Sequence, residues 1–185
     1  VGQARTLNMN VALFPQPRFV STGLNTNAAD FWKTAPRDAG WWDNWFNQYR
    51  SFALYFADLA ATNGVGTLIL GGDWLTPALP GGTLADYSDS NPPADAEMRW
   101  SSLISEVRQH FSGQILWALP YKGSFENIPG LIYEVDGIYV LWYASLTNTE
   151  NDTIENMNQI AGNRLDNDIW LLFATYEKQI ILSVA

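Results

Sequence analysis

Thr67-Leu68-Ile69-Leu70-Gly71-Gly72-Asp73-Trp74, continuing into Leu75-Thr76-Pro77-Ala78-Leu79-Pro80-Gly81-Gly82, decides how this chain is read. A short, wholly apolar run ends in two glycines, and a carboxylate and an indole follow at once. A strand covered on both faces reads as continuous apolar residues rather than as alternation. Glycine lets the backbone turn sharply at the strand's end. Asp73 and Trp74 then fall where α/β folds keep their chemistry, at the carboxyl end of a parallel strand.

Working outward, Trp42, Trp45, Phe46, Tyr49, Phe52, Ala53, Phe56, Ala57 and Ala60 recur at spacings of three and four. They predict a helix over 41–62, closed by Asn63-Gly64. Upstream, 7–13 reads as a first strand stopped by Pro15 and Pro17, and 18–40 as a long loop. Downstream, 71–93 is a second long loop. Asp95 is the expected N-cap of a helix reaching Phe111, with Gly113 ending it. Strands follow at 114–118, stopped by Pro120, and at 137–142. Residues 153–176 read as helix broken near Gly162-Asn163, and 179–184 as a last strand. Strands and helices alternate, the pattern of a parallel sheet with right-handed crossovers.

Two architectures satisfy that alternation, a (β/α)8 barrel and an open doubly wound sheet. The open sheet usually carries a glycine-rich phosphate turn after its first strand. Here that position holds Phe14-Pro15-Gln16-Pro17. Polar and aromatic residues instead recur at successive strand ends: Gln16 and Arg18, Asp73 and Trp74, Trp117 and Tyr121, Trp142 and Tyr143. A ring of loops around one mouth explains that recurrence. Five strands do not close a barrel, so residues 1–185 are expected to form a single α/β domain, a partial TIM barrel with parallel strands. The chain starts at Val1 and ends on an apolar run, so other parts of a longer parent chain are an expected partner.

Composition narrows the partners. The 185 residues are 47% hydrophobic and 14% aromatic, with nine Trp, enough for a sizeable core. Ten basic against nineteen acidic residues give a formal charge of −9. That balance argues against nucleic acid or an anionic membrane surface and favours a neutral ligand. No apolar run reaches the ~20 residues of a membrane span. There is no cysteine, and the single histidine, His110, reads as structural. No metal and no cofactor are expected.

The segments Trp45-Phe46-Asn47-Gln48-Tyr49, Phe56-Ala57-Asp58-Leu59-Ala60 and Leu70-Gly71-Gly72-Asp73-Trp74 resemble, in that order, the middle of the clan-A retaining glycoside hydrolases, and the small bacterial β-mannanase-type barrels in particular. The helix from Arg99-Trp100 to Gly113 is similar to the one preceding that family's fifth strand. Val135-Asp136-Gly137-Ile138-Tyr139 and Lys178-Gln179-Ile180-Ile181-Leu182 resemble its sixth and seventh. The resemblance implies that the chain runs from strand three to strand seven of the barrel, over about residues 11–185. It implies a hydrolase of O-glycosyl bonds with Asp73 at the general acid/base position, where the family has glutamate. It also implies an extracellular or cell-surface setting. The family's nucleophile, a glutamate ending strand seven, has no counterpart in Ser183-Val184-Ala185.

Asp73 is therefore the candidate catalytic residue. Trp74, Tyr121, Trp117, Trp142, Tyr143 and Gln16 are the candidate sugar contacts, since flat rings cover the C–H-rich faces of sugars. The competing role for Asp73 is to cap a turn, and for Trp117 and Trp142 to fill the core. Functionally, a carbohydrate-acting domain stands beside a non-catalytic carbohydrate-binding or structural module of a large surface or secreted protein.

Overall fold

The computed structural model describes residues 1–19, 27–147, 149 and 152–184. Its elements are α1 (Gly2–Thr6), β1 (Ala12–Leu13), α2 (Ala28–Thr34), α3 (Ala39–Asn63), β2 (Thr67–Gly71), α4 (Ala96–His110), β3 (Gln114–Tyr121), β4 (Gly137–Trp142), α5 (Ile154–Arg164), α6 (Trp170–Tyr176) and β5 (Gln179–Val184). The five strands lie in the order β1-β2-β3-β4-β5, each parallel to the next. A doubly wound sheet reverses its strand order part-way across. This sheet never does, and that is the wiring of a barrel wall.

The sheet packs on both faces. Toward the helices, Leu68, Leu70, Ile115, Trp117, Leu119, Ile138 and Val140 meet Trp42, Phe46, Tyr49, Ala53 and Ala57 of α3 and Trp100, Ile104 and Val107 of α4. The small residues at 53, 57 and 60 let α3 sit close on the strands, and the aromatic residues of its first half interlock with Trp100. The opposite face carries a separate cluster of Ile69, Leu116, Ala118 and Leu141, with Phe14 and Tyr139 packed against it. Among the described residues no helix is long and apolar enough to cross a membrane.

Several boundaries differ from the sequence reading for identifiable reasons. The first strand shrinks from 7–13 to two residues, because Leu7 and Met9 donate their amides back to the Ala4 carbonyl and Asn8 turns left-handed at φ 53°. Part of the predicted 18–40 loop lies outside the described residues, and the remainder contains α2. That helix starts where the Asn27 side chain accepts from the Asp30 amide. Asp95 makes no capping bond; its carboxylate takes Arg99 Nε at 2.8 Å. Pro120 does not stop β3. Ala118 bonds toward β2 and Tyr121 toward β4, so residue 120 faces the β2 side, where β2 has already ended opposite Ala118. A proline there removes no ladder bond. The expected break at Gly162-Asn163 is instead a π turn at Leu165–Ile169 that joins α5 to α6.

Candidate functional site

The turn after β2 is built around its glycines. Gly71 has φ 89°, and a Cβ there would lie 2.8 Å from both the Ala118 carbonyl and the Trp117 ring. Gly72, at φ 121° and ψ 163°, occupies a region that is essentially glycine's alone, and a Cβ would meet the Trp74 indole at 2.4 Å. The chain then enters a 3₁₀ turn, Asp73–Ala78. Three side chains hold this turn by its carbonyls. Trp32 Nε1 donates to Trp74 O at 2.7 Å, Trp100 Nε1 to Ala78 O at 2.8 Å, and the buried Ser90 hydroxyl to Pro77 O at 2.7 Å.

Asp73 is half-buried, and among the described residues no hydrogen bond or ion pair engages its carboxylate. The turn begins on Gly72 without a side-chain capping bond, so Asp73 is not serving as its cap. Its charge is felt at Tyr143. Burial pushes that hydroxyl above the ordinary tyrosine value, and the Asp73 carboxylate adds to the rise. Tyr143 follows β4 directly and is half exposed, with its amide bonded to the Tyr121 carbonyl at 2.8 Å. The Trp74 ring lies 5.5 Å from Phe14, and Phe14 lies edge-on to Tyr139 at 5.5 Å. Trp74 Nε1 is buried with no hydrogen-bond partner. Gln16 is exposed on the loop after β1.

The remaining candidates lie on the helix side of the sheet. Trp117 is 1% exposed and packs edge-on against Trp100 at 5.3 Å. Tyr121 is fully buried between Phe125 and Trp142, and its hydroxyl donates to Asp168. Burial first, and then Asp168, raise its pKa. Trp142 donates its indole N–H to Ala144 O at 2.9 Å. These three rings have no face open to a sugar. The strand ends thus bring Asp73, Trp74 and Tyr143 into one region but place Trp117, Tyr121 and Trp142 in the core. Phe14, Tyr139 and Trp32 adjoin Asp73-Trp74 directly or through one ring, and the sequence reading does not single them out. Alternation along Gly137–Trp142 would have put Tyr139 and Leu141 on the face opposite Ile138 and Val140.

No protein-family profile and no curated protein matches the sequence. Solved structures do. A GH113 β-1,4-mannanase complex superposes with a TM-score of 0.61 at 19% identity, over 97% of this chain and 48% of that one. The fold is a partial TIM barrel. A second GH113 β-1,4-mannanase structure gives 0.59 at 16% identity, over 98% and 48% of the two chains. The GH113 β-mannanase from Alicyclobacillus acidocaldarius in complex with ManMIm gives 0.50 at 16%, over 76% and 35%. This partial barrel therefore spans about half the length of the mannanase chains it matches. At these identities the likeness is one of fold. It places the C-terminal strand ends of β1–β4 around the rim where TIM barrels carry their sites.

Proposed function

We propose that this chain is a glycoside-hydrolase-like domain that binds a β-linked glycan at the C-terminal ends of its strands, with Asp73 as the general acid/base. The observation that carries the reading is the free carboxylate of Asp73. It is half-buried, left without a hydrogen-bonding partner among the described residues, and set beside Trp74 and Tyr143. Protein carboxylates withdrawn from water normally find partners. One left open at a strand end, beside aromatic rings, suits a proton donor facing a leaving-group oxygen. Trp74 would stack on a sugar, its ring backed by Phe14 and Tyr139, while Tyr143 and Gln16 would contact hydroxyls. The GH113 β-1,4-mannanases of the same fold make β-1,4-mannan the first polymer to try. Action on such a polymer suits an extracellular or surface location, with the rest of the barrel supplied by other parts of a longer chain.

A second reading rests on its own observation. Retaining glycosidases need two carboxyl groups about 5–5.5 Å apart, and β5, Gln179–Val184, contains none. On this reading the domain holds sugar without cleaving it. One pair of measurements separates the two: reducing-sugar release from β-1,4-mannan, and binding of β-1,4-mannohexaose by calorimetry. The catalytic reading expects release that Asp73→Asn lowers by about 10²-fold or more, the scale of general acid catalysis. Equal release from native and Asp73→Asn protein removes Asp73 from the chemistry. In either reading Trp74→Ala should weaken binding about tenfold, roughly 1.4 kcal/mol. Unaltered affinity would remove Trp74 from the site.

A further inference from the structure

We propose an outlying sugar subsite at Tyr87, on the hairpin between β2 and α4, through which the strand-end site reads the length of its glycan. Residues 81–91 fold back on themselves through a bridge between Thr83 and Asp89. At the tip the Leu84 amide donates to Ser88 O at 2.8 Å, and the Tyr87 amide to Leu84 O at 3.0 Å. Those two bonds enclose a three-residue hairpin loop, 85–87, whose last position takes left-handed backbone and is normally glycine. Here it is Tyr87, at φ 64°. A bulky side chain in that region is a genuine outlier. Packing does not offset the strain, because Tyr87 is 78% exposed, more than any other large apolar side chain among the described residues.

The feet of the hairpin are nonetheless fixed. The fully buried Ser90 hydroxyl is shared between Pro77 O at 2.7 Å and Gly82 O at 2.9 Å, which ties the hairpin to the 3₁₀ turn that begins at Asp73. Trp42 Nε1 of α3 donates to Asn91 O at 2.9 Å. Asn127, in the loop after β3, donates to Gly81 O at 3.3 Å. A strained, exposed residue on a rigid rim loop is the setting of a ligand contact. Its surroundings select the ligand. Ala85, Asp86, Ser88 and Asp89 beside the ring are all exposed and short. A protein partner would meet a contiguous apolar patch, and these residues do not form one. A single ring bordered by carboxylates and a hydroxyl is the complement of one neutral pyranose, whose C–H face covers the ring while its hydroxyls donate at the edge. Trp74 and Tyr87 belong to one segment between β2 and α4, so a glycan running from the strand end to the hairpin tip touches both.

The choice of sugar rests on the function proposed above, so the test separates the two. Native, Tyr87→Gly, Tyr87→Phe and Trp74→Ala proteins are titrated by calorimetry with β-1,4-mannotriose and β-1,4-mannohexaose, and their stability is read in urea. Glycine suits φ 64°, so Tyr87→Gly should be at least as stable as native protein. Its preference for the hexaose over the triose should nevertheless fall roughly fivefold, the scale of a lost ring contact. Tyr87→Phe keeps the ring and should keep the preference. An unaltered preference in Tyr87→Gly overturns the subsite; if Trp74→Ala still weakens both glycans, the strand-end reading stands without it. Equal weakening of triose and hexaose by Tyr87→Gly would put the ring inside the strand-end site and overturns an outlying one. A Tyr87→Gly protein less stable than native would show that packing holds the ring, which overturns the subsite too. Binding of neither glycan by native protein removes the strand-end reading and this subsite together.

Discussion

At the N-terminal ends of the strands, Asp136 accepts from Arg108 Nη1 at 2.7 Å and from the Ile115 amide at 2.8 Å, while its own amide donates to Ile115 O. At the C-terminal ends, Asp73 accepts nothing from any described residue, and the neighbouring Trp74 Nε1 is buried without an acceptor. One carboxylate joins β3 to the start of β4, and the other only borders space. Backbone conformation divides the same way. The turn bearing Asp73 needs two consecutive glycines at positive φ, whereas β4 enters directly from Asp136. The lower rim is arranged for stability and the upper rim tolerates strain and unpaired polar groups, the separation expected of a barrel whose chemistry sits at one end.

The hardest blow to that arrangement is Gly72→Ala. The new Cβ would meet the Trp74 ring at 2.4 Å, at φ 121° and ψ 163°. Strain in such a region costs about 1–3 kcal/mol, and overpacking adds about 1–3 more. A loss of roughly 3 kcal/mol or more in urea denaturation is expected, together with displacement of Trp74. A variant of native stability would mean that the turn after β2 does not need glycine.

Exchanging the two aspartates tests the division directly. Asp136→Ala strands the Ile115 amide and the Arg108 guanidinium, for an expected loss of about 1–2 kcal/mol. The ion pair contributes little of this, because its side chains are 38% and 37% exposed and solvent screens them. Asp73→Ala should change stability by no more than about 0.5 kcal/mol. The pH dependence carries the same signature. Burial pushes the Asp136 carboxyl up, but the Arg108 guanidinium and the Ile115 amide outweigh it and hold its pKa below the usual carboxylate value. Its stabilisation is thus complete above the unfolded value of about 3.9 and is lost as pH falls through the lower folded one. Urea titrations of native and Asp136→Ala protein should converge as the pH drops through that window. Parallel curves would show that Asp136 is not the group responsible.

Much of this was readable from the sequence because the elements are long and apolar. The stripe of α3, the run Thr67–Leu70 and the two glycines each admit one structure. What escaped reading was short or depended on facing. α2 is seven residues with no repeat, and its Asn27 cap resembles any polar loop residue. Trp32, which pins the turn through Trp74 O, lies on that helix. Trp117, Tyr121 and Trp142 sit near strand ends as Trp74 and Tyr143 do, and aromatic identity does not say which side of a sheet a ring occupies. Phase does. Residues 115, 117, 119 and 121 share one face with 138, 140 and 142, and Leu116, Ala118 and Leu141 share the other. The place of Asp73-Trp74, on the turn directly after β2, was legible because two glycines after a buried apolar run mark the end of that strand.

The smallest expected effect sharpens the comparison most. Tyr143 titrates above the ordinary tyrosine value of about 10, first because it is partly buried and second because the Asp73 carboxylate disfavours a phenolate beside it. Asp73→Asn removes the second cause and leaves the first. The Tyr143 hydroxyl should then titrate below its native value but still above the ordinary one, followed through the ¹³Cζ resonance of labelled tyrosine. Added salt should reproduce part of that fall in the native protein and none in the variant, since screening acts only on the charge. Asp136→Ala, at the other end of the strands, should leave Tyr143 untouched. If Asp73→Asn leaves it untouched as well, the carboxylate and the phenol do not share a site, and the upper rim loses this electrostatic link between the ends of β2 and β4.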